Sequence, residues 1–486
     1  MSKQFVLAVD QGTTGTTVLA FDEMGQQQRR AYREFPQIYP KPGWVEHDAE
    51  VIWQTTLAVI NQALQPGDRI CALGITNQRE TTVIWNRHTG EPIYNAIVWQ
   101  CRRTADACRA LSEHADLFRL RTGLVLDAYF SGTKVQWILD HVAGARAAAA
   151  AGDLCFGTID SWLVWKLTEG SVHCTDYTNA SRTLMYDIYE KRWDPELLAL
   201  LNVPATILPE VVPSSGLVGH CSVAPLSGVP ITGIAGDQQA SLYGLQCVEP
   251  SLVKNTYGTG CFMMKYEGDN PTRPGNGLLT TLACNAAGGP AYALEGSVFI
   301  AGAAIQWLRD GLGIIDNAAQ SEQLALGLAD NGGVYFVPAF VGLGAPYWDA
   351  DARGTIVGLT RGAGRAHLAR AALEAIAYQS RDVMTAMNDV SATAIEEVRV
   401  DGGASSNNFL MQFQADQLGV PVQRGQDAEK TAYGAALLAG RAVSFWRFDL
   451  SQAVHGPRFL PKMASQAAND LYLCWLDAVR RARSTQ

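Results

Sequence analysis

The stretch FVLAVDQGTTGTTVLAF, Phe5 to Phe21, holds two apolar runs separated by a turn of glycine and threonine. Phe5 to Val9 reads as a buried strand ending in the carboxylate Asp10, and Thr17 to Phe21 resumes the strand pattern, so the turn is a hairpin tip. Gly12 and Gly15 are expected to take positive φ, letting backbone N–H groups converge on an anion, while Thr13, Thr14, Thr16 and Thr17 add short hydroxyl donors. Such a tip suits a triphosphate, although an ordinary polar hairpin has the same composition. Asp10 would repel phosphate, and its use is as an outer ligand of Mg²⁺, which favours carboxylate and water oxygens.

Around this stretch lie 486 residues, more than one core usually supports, so two domains of roughly 200 to 250 residues are expected. Apolar content of 48% and charged content of 17% exclude the disordered and low-complexity classes. A net charge of −9 argues against nucleic-acid or anionic-membrane partners, which would want a basic face, so bound phosphate must be held locally. The ten cysteines form no C-x-x-C pair and have no partnering histidine cluster; they read as reduced, mostly buried thiols of a cytoplasmic protein. The first apolar run stops at Asp10 and no stretch approaches eighteen apolar residues, so secretion and membrane insertion are not expected.

Further along, a third strand is expected near Gln28 to Phe35, then a turn through Pro36, Pro40 and Pro42. A helix from Ala49 to Leu64 follows, capped by Asp48, with Ile52, Val59, Ile60 and Ala63 on one face. Cys71 to Thr76 reads as a buried strand. This β-β-β-α-β order is that of a ribonuclease-H-like unit. Ala143 to Gly152 is an alanine-rich helix or linker.

The pattern recurs in the second half, which suggests internal duplication. Thr256-Tyr257-Gly258-Thr259-Gly260 forms another Gly and Thr tip within Leu252 to Tyr266. Strands at Leu278 to Cys284 and Ala291 to Leu294 follow, then a helix from Phe299 to Arg309. Val398 to Gly403 runs into a helical segment at Asn407 to Leu418, an arrangement in which a glycine pair and a helix N-terminus accommodate a nucleotide. The predicted fold is α/β, with two ribonuclease-H-like domains of the actin-like ATPase type, residues 1–246 and 247–486, facing a central cleft; the boundary falls near Gly244 to Ser251.

Two further segments hang at carboxyl ends of strands, where open α/β sheets place ligands: Asn77 to Thr81, and Gly236-Asp237-Gln238-Gln239 after Ile231 to Ala235. With these, and with Tyr129 to Trp137, Gly354 to Leu359 and Leu368 to Glu374, the chain resembles the FGGY carbohydrate kinases from Phe5 to Arg481. The stretches Gln37 to Asp48, Ala96 to Arg103, Asp176 to Arg182 and Phe340 to Asp349 resemble those members that act on glycerol. The resemblance implies ATP- and Mg²⁺-dependent transfer of phosphate to a primary hydroxyl of glycerol, giving sn-glycerol 3-phosphate and ADP in glycerol catabolism. It also implies a homodimer or homotetramer.

The chemistry requires a base, because a neutral alcohol is a poor nucleophile, and Asp237 is the candidate. Arg79 and Glu80 set a fork of donors beside an acceptor, suited to adjacent hydroxyls, although a structural ion pair would use the same residues. By resemblance, Tyr129 and Gln238 complete the polar ring and Trp99 and Phe262 wall the carbon skeleton. Thr13, Thr14, Gly15 and Thr17 are assigned to the first phosphate tip and Thr259 to the second. Gly302, Gln306, Gly403 and Asn407 surround the ribose and adenine, and Mg²⁺ lies near Asp10 and Asp237.

There are departures. Many relatives carry arginine where this chain has Thr17, which removes one cationic contact to the phosphates. The segment His220 to Ser227 is short and holds neither Arg nor Gly, unlike the fructose 1,6-bisphosphate loop of some bacterial relatives. Phe459 to Asn469 departs from the type regulated by a phosphotransferase protein. Another FGGY kinase, acting on a pentulose, hexonate or tetritol, and an ATP-driven switch of the actin or heat-shock type are the competing readings; Arg79, Glu80 and Trp99 speak against the first and Asp237 against the second.

Overall fold

The structure, a computed structural model, describes residues 3–425, 429–450 and 456–484. Two sheets organise it, and both follow one plan. In the first, Gln4–Gln11 pairs antiparallel with Gly15–Phe21, which pairs antiparallel with Gln27–Glu34. On its other side Gln4–Gln11 runs parallel to Arg69–Asn77, which runs parallel to Pro230–Gly236. In the second, Leu252–Tyr257 pairs antiparallel with Cys261–Gly268, which pairs antiparallel with Pro290–Val298. On its other side it is parallel to Glu397–Asp401, which is parallel to Val422–Arg424. The five strands named in each sheet thus share one spatial order, to which the first sheet adds Ser215–His220 beyond Pro230–Gly236 and the second adds Leu279–Cys284 beyond Pro290–Val298 and Arg458–Phe459 beyond Val422–Arg424. The duplication expected from the two hairpins is present in the strand pairing itself.

The crossover helix of the first unit is Ala49–Ala63. The Asp48 carboxylate accepts from the N–H groups of Glu50 (2.8 Å) and Val51 (3.1 Å), satisfying two orphan donors, and Ile52, Trp53, Val59, Ile60 and Ala63 bury one face. In the second unit that place is taken by Gly302–Asp310, Ala318–Leu326 and the 26-residue helix Arg365–Val390, whose Leu373, Ile376, Val383 and Met387 enter the core.

Each unit sends to the other the helix that follows its fifth named strand. Asp237–Gly244 follows the fifth strand of the first sheet, and its Ser241 Oγ donates to Asp401 of the second sheet at 2.8 Å. Lys430–Ala442 follows the fifth strand of the second, and its Ala435, Ala436, Leu437, Leu438 and Ala439 pack on Val6, Ala8, Leu19, Ala72 and Ala235. The two helices touch where Gly434 meets Ala240; a Cβ on Gly434 would stand 1.8 Å from the Ala240 carbonyl oxygen. Only glycine permits that approach.

Several expectations are corrected. Gly12 and Gly15 do not adopt positive φ. Gly15 is required instead by space, since a Cβ would lie 2.7 Å from both the Arg33 carbonyl oxygen and the Tyr32 ring. The helix expected from Phe299 begins at Gly302, because Ala301 N–H and Gly302 N–H are drawn back onto the carbonyls of Thr259 (2.8 Å) and Gly258 (3.0 Å). A short 3₁₀ turn, Gly403–Ser406, separates the fourth strand from the helix Asn408–Leu418, which Asn407 caps by accepting from Leu410 N–H at 2.9 Å. Of the two readings of Ala143 to Gly152, helix or linker, the helix is the one present, Ala145–Ala151, bounded by Gly144 and Gly152, both at positive φ.

Candidate active site

Three strands of the first sheet end at one place. Gln4–Gln11 delivers Asp10, Arg69–Asn77 is followed by Arg79 and Glu80, and Pro230–Gly236 runs into Asp237 at the first turn of its helix. Arg79 is a non-glycine residue at φ +55°, a conformation that surrounding bonds must enforce. Its guanidinium spreads over three acceptors: Nε lies 3.2 Å from Asp237, Nη1 donates to Glu295 at 2.8 Å, and Nη2 donates to the Tyr129 hydroxyl at 3.2 Å. The direct Arg79–Glu80 approach is longer, 3.7 Å; Glu80 instead accepts from Arg182 Nε at 2.7 Å. The expected fork of Arg79 and Glu80 is therefore two forks, joined because Arg182 Nη2 also donates to Glu295 at 3.0 Å.

Glu295 and Arg182 were not singled out from the sequence. Glu295 belongs to the strand Pro290–Val298 of the second sheet, so the ion network spans both halves. Burial alone would push the Glu295 carboxyl up, but Arg182 and Arg79 outweigh it and hold it at about 2. Lys254, also missed, lies buried on Leu252–Tyr257; its ammonium donates to the Gln238 side chain and, at 3.3 Å, to the Phe262 carbonyl. Burial lowers it to about 8. The available signal was a charged residue directly after apolar strand residues, as in Leu294-Glu295 and Val253-Lys254, which demands a partner when buried.

Asp237 keeps its side chain 29% exposed, so it faces the cleft. Burial of its surroundings raises its pKa, with Glu80 adding and Arg79 and Lys254 opposing. A carboxylate shifted in that direction accepts a proton more readily. Asp10 is raised further, to about 8, by burial first and then by Asp237 and Glu429. Among the described residues no hydrogen bond or ion pair reaches the Asp10 carboxylate. Two neighbouring carboxylates, one without a partner among the described residues, are a donor set suited to a divalent cation.

Trp99 and Tyr129 meet edge to face at 5.5 Å between centroids, and Trp99 Nε1 donates to Thr13 Oγ1 at 2.9 Å. The aromatic wall is thus tied to the first hairpin tip. Lys134, fully buried, anchors the loop beneath by donating to the Tyr129 carbonyl at 2.6 Å. Gln238, through its side chain, and Phe262, through its main-chain carbonyl, meet Lys254 on the opposite side.

Thr13 is partly buried, Thr14 exposed, and Thr17 buried opposite Asp10 in the hairpin register. At the second tip, Gly258 N–H bonds to the Gly260 carbonyl at 2.9 Å. Gly302 closes against Gly258 and opens the helix that carries Gln306, which is exposed. Gly402, at φ +86°, presses on Tyr257, where a Cβ would lie 2.4 Å from the carbonyl oxygen; it places exposed Gly403 and the cap Asn407 beside the same tip. The four residues assigned to adenosine therefore belong to two segments docked on one hairpin.

This cleft between two duplicated sheets defines a class. The profile of the N-terminal domain of the FGGY family of carbohydrate kinases matches residues 5–244, and that of the C-terminal domain residues 253–443. The chain belongs to the FGGY family of carbohydrate kinases. Among curated relatives, a glycerol kinase of Carboxydothermus hydrogenoformans is 57% identical over 495 residues, with 99% of each chain covered. Glycerol kinase 2 of Thermotoga maritima is 54% identical, again over 99% of each chain. Among solved structures, a glycerol kinase of Plasmodium falciparum with ADP superposes with a TM-score of 0.94 at 32% identity, over 100% of this chain and 99% of that one. A gluconate kinase from Lactobacillus acidophilus, 22% identical with a TM-score of 0.88 over 99% and 98% of the two chains, shares the fold. Among the described residues no helix is long and apolar enough to cross a membrane.

Proposed function

We propose that the chain phosphorylates glycerol with ATP, yielding sn-glycerol 3-phosphate and ADP. The observation that carries this reading is the Asp237 carboxylate facing the cleft, held 3.2 Å from Arg79 Nε within a ring of Glu80, Tyr129, Gln238, Trp99 and Phe262. Near identity of more than half the residues with glycerol kinases over the full length supports the choice of acceptor.

In this reading the Arg79 guanidinium and the Glu80 carboxylate hold two adjacent hydroxyls, and the third, a primary hydroxyl, faces Asp237. Asp237 takes its proton as the oxygen bonds to the γ-phosphorus, the bond from that phosphorus to the β–γ bridging oxygen breaks, and ADP leaves with the electron pair. Arg79, shared between Glu295 and Asp237, keeps the base oriented. Thr13, Thr14, Gly15 and Thr17 at one tip and Thr259 at the other grip the phosphates from two sides; Gly302, Gln306, Gly403 and Asn407 receive the ribose and adenine. Asp10 and Asp237 would hold Mg²⁺, which offsets phosphate charge when bound. Trp99 and Phe262 exclude water from the reacting hydroxyl, limiting wasteful hydrolysis. Thr17 in place of arginine leaves the phosphate grip at this tip to hydroxyls and backbone, with either a weaker hold on ATP or another cation in its place. The two units meet at residues 246 and 247, and the enzyme works in the cytoplasm as a homodimer or homotetramer.

The test is ADP release by the purified protein with Mg²⁺ and ATP, given glycerol, xylulose, erythritol or no acceptor. Stimulation by glycerol above the other acceptors is expected; equal or greater stimulation by xylulose or erythritol would move the substrate, and turnover independent of acceptor would point to an ATP-driven switch.

A further inference from the structure

Behind the cleft, and untouched by the chemistry above, lies a buried carboxylate that no cation among the described residues neutralises. Asp176 is fully buried at the start of the four-residue helix Tyr177–Ala180. Its oxygens accept from five donors: Thr178 N–H at 3.1 Å, Asn179 N–H at 3.0 Å, Thr178 Oγ1 at 2.7 Å, Asn179 Nδ2 at 2.9 Å and Ser214 Oγ at 2.6 Å. Two of these donors reach onward. Thr178 Oγ1, its proton given to Asp176, accepts from the backbone N–H of Gly236 at 2.8 Å, the residue just before Asp237. Asn179 Oδ1 accepts from Asn77 Nδ2 at 3.0 Å, two residues before Arg79. The same short helix leads into Arg182, whose N–H bonds to the Asn179 carbonyl at 2.9 Å.

One carboxylate therefore fixes the carboxyl ends of two parallel strands, and each strand carries one partner of the Arg79–Asp237 contact. The packing there has no slack, because the Arg79 side chain lies against Gly236; a Cβ on Gly236 would stand 2.8 Å from Arg79 Cγ. An isolated charge in the interior is retained only where its hydrogen bonds are complete. Here that set of bonds is spent on the two segments that must hold a base and a substrate clamp in register.

We propose that Asp176, acting through Thr178 and Asn179, is a positioning residue that sets the placement of Asp237 relative to Arg79. The proposal rests on Asp237 being the base. A displacement of about 1 Å at such a site lowers turnover on the order of 10²-fold while leaving remote binding intact. Thr178→Val removes the bond to Gly236 at nearly constant volume, and Thr178→Ser restores it.

The experiment measures kcat and KM for glycerol and ATP, with ADP binding by calorimetry and thermal melting, for Thr178→Val, Thr178→Ser, Ser214→Ala and Asp237→Asn. The expected result is a kcat for Thr178→Val lower by about 10 to 100-fold with KM for ATP and ADP affinity unchanged. Thr178→Ser should recover most of the rate, and Ser214→Ala should lose a few-fold. A Thr178→Val enzyme at the parent rate while Asp237→Asn is inactive would overturn the positioning role and leave the base intact. Equal losses in Thr178→Val and Thr178→Ser would also overturn it, by making bulk rather than the hydroxyl responsible. If Thr178→Val does not fold, an unchanged kcat in Ser214→Ala would be decisive against it. An active Asp237→Asn would instead remove the reading on which the proposal rests.

Discussion

The two hairpins sit on equivalent strand pairs, yet their carboxylates stand on opposite sides. In the first unit Asp10 is on the first strand and faces Thr76 on the fourth; in the second, Thr256 is on the first strand and faces Asp401 on the fourth. Asp401 is fully employed, accepting from Thr256 Oγ1 at 2.5 Å and from Ser241 Oγ at 2.8 Å. Asp10 has no partner among the described residues, and the Thr76 hydroxyl opposite is itself buried and unpaired. One topology thus yields a satisfied carboxylate that joins the halves and an unsatisfied one aimed at the cleft. Fold symmetry does not distribute chemistry evenly; in the proposed reading the leftover carboxylate marks the side that takes a cation and phosphate.

The largest effect that would sharpen this contrast is expected for Asp237→Asn, which keeps size and removes the base: kcat with glycerol should fall by about 10² to 10⁴-fold, and calorimetry should show ADP still bound. A variant near the parent rate would break the assignment of chemistry to the first unit. Next comes Glu295→Gln, which leaves two buried guanidinium groups short of a charge. Breaking a buried pair costs about 3 to 5 kcal/mol, to be read from urea unfolding, together with a higher KM for glycerol as Arg79 loses its anchor. Unchanged stability would show that the second unit does not brace the first. Thr256→Val should cost less, about 1 to 3 kcal/mol, because one buried acceptor on Asp401 loses a donor.

The remaining effect concerns pH. The Asp10 carboxyl is raised from 3.8 to about 8 in the folded chain, so the folded state binds its proton more tightly than the unfolded one. Its contribution to stability is fully present below pH 3.8 and declines as pH rises through about 8. Thermal melting of the chain without nucleotide should therefore show a component that weakens toward alkaline pH. Asp10→Asn should remove that component, and Mg²⁺ should weaken it in the parent by stabilising the ionised form. A melting profile unaltered by Asp10→Asn would show that this carboxylate is not the unsatisfied charge the comparison makes it.

Much of the scaffold was legible because it is written in local pattern. Alternating apolar runs around Gly and Thr turns placed both hairpins, and Asp48 announced the crossover helix. Strand-end motifs such as Gly236-Asp237 and Asn77 to Glu80 pointed at the cleft because the chemistry of α/β sheets collects there. The partners of those residues were not legible. Glu295 reaches Arg79 from 216 residues away, and nothing in local spacing reports a contact closed by the packing of one unit on the other. The roles of the glycines were likewise hidden, since Gly15 and Gly434 are required by neighbours remote in sequence rather than by their own φ. The Arg79 and Glu80 pair was found, but its splitting between Glu295 and Arg182 depended on those same unseen neighbours.

The central claim, phosphate transfer to a polyol hydroxyl, is tested most directly by identifying the product. Incubated with Mg²⁺, ATP and glycerol and followed by phosphorus NMR, the protein should form glycerol 3-phosphate in step with ADP; inorganic phosphate released with ADP, and no glycerol phosphate, would contradict the account.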